Sequence, residues 1–174
     1  MQFNLVPYAE GDSVERIDGS FELNDHEVDC RWTLTGAVDR IRFPGRTAAP
    51  GRVMSLWEHT CFEFFIGGAN EAGYYEFNLS PSGDWNSFAF TDLRTGMAET
   101  DELVCTSSAA ERLSPETLQV SVRAYFTPPN GIRQWRIGIS AVIEQEDGQR
   151  LYYALSHDGG RPDFHRRSNH RIRI

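Results

Sequence analysis

The sequence predicts an all-β fold, a single antiparallel β-sandwich of jelly-roll type with about ten strands over residues 1–174. Three observations carry this. Apolar residues recur with period two along most of the chain, the spacing of strands that bury one face. Glycine and proline turn signals punctuate it at short intervals. Only one stretch, Ser108 to Leu113, reads as helix, and one such turn cannot build a helical layer. Many short strands with such turns belong to sandwiches and jelly rolls.

The clearest strands alternate without interruption. Val28, Cys30, Trp32 and Leu34 share one face. Leu118, Val120, Val122, Ala124 and Phe126 share another, and so do Trp135, Ile137, Ile139, Ala141 and Ile143. Further strands are expected near 14–24, 60–67, 73–80, 85–91, 102–107 and 150–156. Turns fall at Asp18-Gly19, Gly67-Gly68, Ser82-Gly83, Asn130-Gly131, Asp147-Gly148 and Gly159-Gly160. Strands 132–144 and 150–156 form a hairpin around Glu146-Asp147-Gly148. Residues 44–52, rich in Pro and Gly, read as a loop between strands. The pattern is the same on both sides of it, so one domain is expected.

Composition narrows the function. The chain has 174 residues, 40% hydrophobic and 12% aromatic, enough for a buried core. No apolar run approaches the roughly 18 residues that span a bilayer. Net charge is −8, and every basic residue is Arg. An acidic chain lacks the surface for nonspecific contact with nucleic acid or anionic membranes, so neither is expected as a partner. Residues 161–174 run against the trend, with five Arg and one acid, Asp163. The other 160 residues then carry −12, and the basic tail is expected to pair with that acidic body. Cys30, Cys61 and Cys105 are odd in number and far apart, which fits neither a disulfide framework nor a zinc site. With no basic-then-apolar start, this points to a cytoplasmic protein. Oligomeric state is not readable.

Chemistry concentrates in residues 56–90. Strand 60–66 puts Phe62, Phe64 and Ile66 on one face and Cys61, Glu63 and Phe65 on the other. Strand 73–80 puts Tyr75, Phe77 and Leu79 on one face and Tyr74, Glu76, Asn78 and Ser80 on the other. If the two strands pair, Glu63, Tyr74, Glu76 and Asn78 share a face, with Trp57 just before it. Carboxylates and an amide beside flat aromatics suit a sugar, whose C–H face stacks while its hydroxyls pair.

The segment from Leu56-Trp57-Glu58 through Phe62-Glu63-Phe64-Phe65 and Tyr74-Tyr75-Glu76-Phe77-Asn78-Leu79-Ser80-Pro81-Ser82-Gly83 resembles the DOMON-like superfamily. Within it, members akin to family 9 carbohydrate-binding modules are the nearest likeness. Tyr153-Ala154-Leu155-Ser156-His157 and Pro162-Asp163-Phe164-His165 resemble that family's closing strands. The resemblance implies a β-sandwich that binds a saccharide between two aromatics and has no catalytic machinery. Trp57 matches the first aromatic and Glu63 the acid that follows it. Glu76 and Asn78 lie on the adjoining strand, beside Tyr74. For the second aromatic, Trp85, Phe164 and His157 are candidates, whereas Trp135 alternates inward. The arginine such sites carry on the adjoining strand is not evident.

Other readings stay open. Glu63 and Glu76 could be a glycosidase pair if their carboxyls stand roughly 5 or 6.5–9.5 Å apart. Superfamily members that bind haem do so through Met and His, for which Met54 and His157 or His165 are the candidates. A pure assembly domain is a further alternative. His157, His165 and His170 gather near Asp158 and Asp163, but their spacing matches no common zinc motif. No cofactor is expected, although a structural calcium ion held by loop oxygens is possible. Ser156-His157-Asp158 are consecutive and cannot adopt triad geometry.

Overall fold

A computed structural model describes residues 1–174. It contains twelve strands: β1 (Gln2–Pro7), β2 (Val14–Asn24), β3 (Glu27–Gly36), β4 (Cys61–Gly68), β5 (Tyr74–Leu79), β6 (Trp85–Phe90), β7 (Ala98–Glu99), β8 (Leu103–Ser114), β9 (Thr117–Phe126), β10 (Trp135–Glu144), β11 (Arg150–Ala154) and β12 (Ile172–Arg173). Three single 3-10 turns, at Val38–Arg40, Leu56–Glu58 and Arg167–Asn169, are the only helical geometry. No helix is long and apolar enough to cross a membrane.

All named strand pairs are antiparallel. They run in the order β7-β6-β5-β4-β10-β11-β1-β2-β3-β9-β8, and β12 pairs with β10. The path curls into two facing layers. β1 makes the turn between them: Leu5 pairs with Ile17 of β2, while Val6 pairs with Ala154 of β11. At the far end the layers meet again, where the Ser87 hydroxyl of β6 donates to the Leu103 carbonyl of β8 at 2.5 Å. The core fills the space between. Phe21 packs edge-on against Phe64, and Trp32 tilts against Phe62, at centroid distances of 5.7 and 5.6 Å. Each of these four side chains is fully enclosed.

The alternating strands fall where the period places them, and all the apolar residues named for 28–34 and 118–126 are buried. The hairpin joining β10 and β11 is present, with Gly148 at φ 87°. Three expectations need correction. Asp18-Gly19 is not a turn but lies in the middle of β2, paired with Thr33 and Trp32 of β3. Ser108 to Leu113 is not helix but the middle of β8, paired with β9 through Ala109↔Ser121 and Ala110↔Val120. This strand is mostly exposed, so it lacks the alternation that marks a strand, and its Ala, Glu, Arg and Leu are good helix formers. The strands number twelve against the about ten expected, the additional β1, β7 and β12 lying outside the strong patterns. The tail does not pair broadly with the acidic body. Arg166 bonds Asp163 within the tail, Arg167 donates to the Ala69 carbonyl, and Arg173 donates to the His170 and Ile172 carbonyls.

Candidate functional site

The site lies on the outer face of β4, β5, β6, β10 and β11. Pairing of Glu63 with Asn78 and of Phe65 with Glu76 sets the register, so Glu63 and Glu76 are diagonal neighbours on adjacent strands. The outer face is not left to solvent. The Leu56–Glu58 turn, the β6–β7 loop and residues 155–171 fold over it. Ser55, at φ 62°, begins the turn that swings Trp57 inward, where its ring meets Phe88 edge-on at 5.7 Å.

What remains is a cavity of about 340 Å³, at the small end of the roughly 300–1,000 Å³ of small-molecule sites. Glu63 and Glu76 reach it from the sheet, with Val142 and Tyr152 beside them. Trp57, Phe90, Phe164 and Pro162 supply apolar wall, and His165, Arg94, Arg150 and Met97 complete the lining. Both carboxyl groups are deeply buried, at 2% and 4% exposure. Ser140 donates its hydroxyl to Glu63 Oε2 at 3.0 Å, and the Asn78 amide donates to Glu76 Oε1 at 2.7 Å. Burial raises the Glu63 carboxyl well above its ordinary range, and the charge of Glu76 raises it further. Glu76 is raised to about 7, again by burial, against the Asn78 hydrogen bond and the Arg94 charge.

A chain of groups runs from Glu76 to the covering segment. The Arg94 backbone N–H donates to the Tyr74 hydroxyl at 3.2 Å, and that hydroxyl lies 2.8 Å from His165 Nδ1. The other ring nitrogen, His165 Nε2, faces Glu76 Oε2 at 3.8 Å. Burial lowers His165 to about 4, so the ring is neutral at pH 7. Arg94, at φ 52°, turns its guanidinium onto Asp163, with Nε and Nη2 at 3.2 and 2.9 Å from Oδ1. Burial pushes Asp163 up, but Arg94 and Arg166 outweigh it and hold the carboxyl below its ordinary range.

A second anchor fixes the cover. Arg136 is fully enclosed and donates through Nη1 to His170 Nδ1 at 2.9 Å and through Nη2 to the Glu71 carbonyl at 2.9 Å. His170 Nε2–H in turn donates to the Phe164 carbonyl at 3.2 Å. Both large groups fit because two glycines lie beneath them. A Cβ on Gly67 would sit 2.6 Å from the Arg136 guanidinium carbon, and one on Gly138 would sit 2.4 Å from His170 Cδ2. Burial lowers His170 to about 3, and the Arg136 charge lowers it further.

The sequence-derived candidates therefore separate. Trp57, Glu63 and Glu76 line the cavity. Tyr74 and Asn78 stand behind it, holding His165 and Glu76. Trp85 does not reach it: paired with Leu79, it faces the core, stacked on Phe77 at 5.8 Å with Arg52 over its other face. His157 bonds the Val6 carbonyl and is not part of the lining, whereas Phe164 is. Arg94, Tyr152 and Arg150 were missed. Arg94 sits in a loop without periodicity, and the other two lie on a strand whose sequence shows only that it is a strand. No group of three His, Cys, Asp or Glu side chains is placed to hold a metal ion.

No family model matches the chain, and no curated protein matches it by sequence. Solved structures do. A candidate carbohydrate-binding protein from Bacteroides uniformis superposes with a TM-score of 0.68 at 15% identity, over 97% of this chain and 83% of that one. The fold is carbohydrate-binding-module-like. A family 9 carbohydrate-binding module from Caldicellulosiruptor kristjanssonii, solved with glucose, gives a TM-score of 0.53 at 9% identity, over 86% and 70%. With cellotriose the values are 0.51 and 9%, over 89% and 72%. At such identity the likeness is one of module architecture.

Proposed function

We propose that this chain is a non-catalytic binding domain of the DOMON-like kind, whose ligand is a saccharide or glycan fragment held in the cavity under Trp57. The observation that carries this reading is the meeting, in one concave site, of an aromatic wall with two buried carboxyl groups that keep free acceptor capacity. Trp57 and Phe164 offer stacking surface, and Glu63 and Glu76 take hydroxyls. The cavity's size suits one or two sugar rings. The likeness in fold to modules solved with glucose and cellotriose supports the ligand class.

A glycoside hydrolase is the second reading, favoured by the same two acids, since buried carboxyls with raised pKa mark acid–base sites as well as binding sites. A calorimetric panel of neutral mono- and disaccharides tests binding, and release of reducing ends from oligosaccharides tests turnover. Binding without turnover, weakened by Trp57→Ala in a folded protein, is the expected result. Failure of every saccharide at millimolar concentration would overturn the proposal.

A further inference from the structure

We propose that the cavity selects a cationic sugar, a hydroxylated ring bearing a protonated amine such as a 2-amino-2-deoxyhexose, with the ammonium seated between Glu63 and Glu76. This rests on the saccharide reading and names its ligand class.

The argument begins with what the two acids lack. Glu63 receives one hydrogen bond, at Oε2 from Ser140, and its Oε1 has no partner although the residue is 2% exposed and lines the cavity. Glu76 Oε1 receives the Asn78 amide, and its Oε2 has only His165 Nε2, at 3.8 Å. Every group that touches the pair is neutral: a hydroxyl, an amide and an uncharged imidazole. The two arginines in the lining do not serve it. Arg94 reaches the acids only through its longer-range field, because its guanidinium hydrogen bonds go to Asp163. Arg150 is exposed and makes no ion pair.

Two buried carboxyls without a cation are an unfinished arrangement. Buried carboxyls left without a cation hold their protons, and a cationic partner lets them ionise. A metal is not the missing partner, since no third His, Cys, Asp or Glu side chain is placed to complete a site. A primary ammonium has three N–H donors, enough for Glu63 Oε1 and Glu76 Oε2 together. The neighbouring aromatic faces also favour a cation over a neutral hydroxyl. The ring carrying that ammonium keeps Trp57 as its stacking wall, so this occupant uses both halves of the cavity. Burial, joined at Glu63 by the charge of Glu76, keeps protons on the empty pair, so an arriving cation displaces them and binding releases protons. A neutral sugar has no such effect.

The test titrates D-glucosamine, D-glucose and N-acetyl-D-glucosamine into the protein at about pH 6.5 and about 0.15 M salt, where exposed charges are screened beyond roughly 8 Å. Glucosamine is expected to bind at least about tenfold more tightly than glucose, a difference of about 1.4 kcal/mol. The N-acetyl sugar, which has lost the charge, should bind no better than glucose. Heats measured in buffers of different ionisation enthalpy should show proton release for glucosamine alone. Glu63→Gln and, separately, Glu76→Gln should bring the glucosamine-to-glucose ratio to within about threefold. Glucose binding as tightly as glucosamine sinks the amine and leaves the saccharide reading standing. An unchanged ratio in both folded variants also sinks it, because the amine then sits elsewhere. Failure of all three sugars sinks the amine, and the saccharide reading then stands or falls on the wider panel of mono- and disaccharides.

Discussion

The two faces of the β6-β5-β4-β10 sheet are built from alternate residues of the same strands and do opposite things. The inner face presents Phe62, Phe64, Ile66, Phe77, Leu79, Ile137 and Ile139, all apolar and all enclosed. The outer face presents Glu63, Glu76, Asn78 and Ser140, polar and just as enclosed. Burial of the first removes apolar surface from water and stabilises. Burial of the second costs free energy unless each group finds a partner, and the carboxyl pair finds only part of what it needs. The difference teaches that concealment on a sheet face does not reveal its purpose. One face is hidden by the packing of the core, and on the other two buried carboxyls keep unsatisfied capacity toward a cavity.

The comparison breaks most violently from the inner side. Phe64 stacks on Phe77 at 4.9 Å and meets Phe21 across the layers. Phe64→Ala should destabilise by about 3–5 kcal/mol, read as a lowered denaturant midpoint. Ile137→Ala should fall at about 2–5 kcal/mol. On the outer side, Arg136→Leu strands the His170 ring and the carbonyls of 71 and 73 without their donor. A loss of about 1–3 kcal/mol is expected, with the covering segment becoming more sensitive to protease than the core. Trp57→Ala should weaken saccharide binding by about 1–3 kcal/mol through lost burial and stacking, while leaving the melting temperature within a few degrees of the parent.

The smallest effect sharpens the comparison through pH. Glu76 titrates near 7 in the fold against an ordinary 4.5, so the stabilisation it favours is complete below pH 4.5 and lost as pH rises through 7. His165 and His170 are lowered to about 4 and 3 from 6.5, so their contribution is complete above pH 6.5 and lost as pH falls toward those values. The two trends oppose each other between pH 4.5 and 6.5. Glu76→Gln should therefore steepen acid unfolding in that window and improve stability above pH 7. A stability–pH curve for the variant that parallels the parent's would refute this.

The inner face was legible because hydrophobicity repeats: period two at 118–126 and 135–143 fixes which residues point inward. The outer face was legible only in part. Glu63, Glu76 and Trp57 were found because they sit within or beside alternating strands and resemble a known motif. Asn78 and Tyr74 were found for the right face but stand behind the cavity, a distinction that depends on what covers them. Trp85 was misplaced, although its pairing with Leu79, which points inward, would have turned it toward the core. Arg94 and His165 could not be reached from periodicity, since loops have none. Their placement depends on the fold over the sheet, through contacts such as Arg94 to Asp163 and Tyr74 to His165, which lie 69 and 91 residues apart.

Those long separations bear on the order in which the molecule becomes itself. Contacts that close large loops form late, because the chain must first forgo much of its freedom. The hairpins β2–β3, β8–β9 and β10–β11 close over short turns, and a layer assembled from them can bury its apolar residues without residues 162–170. The cavity cannot. Its acids come from β4 and β5, and its cover arrives about ninety residues further along. The cavity is thereby completed only in molecules whose C-terminal segment has docked on strands laid down about ninety residues earlier.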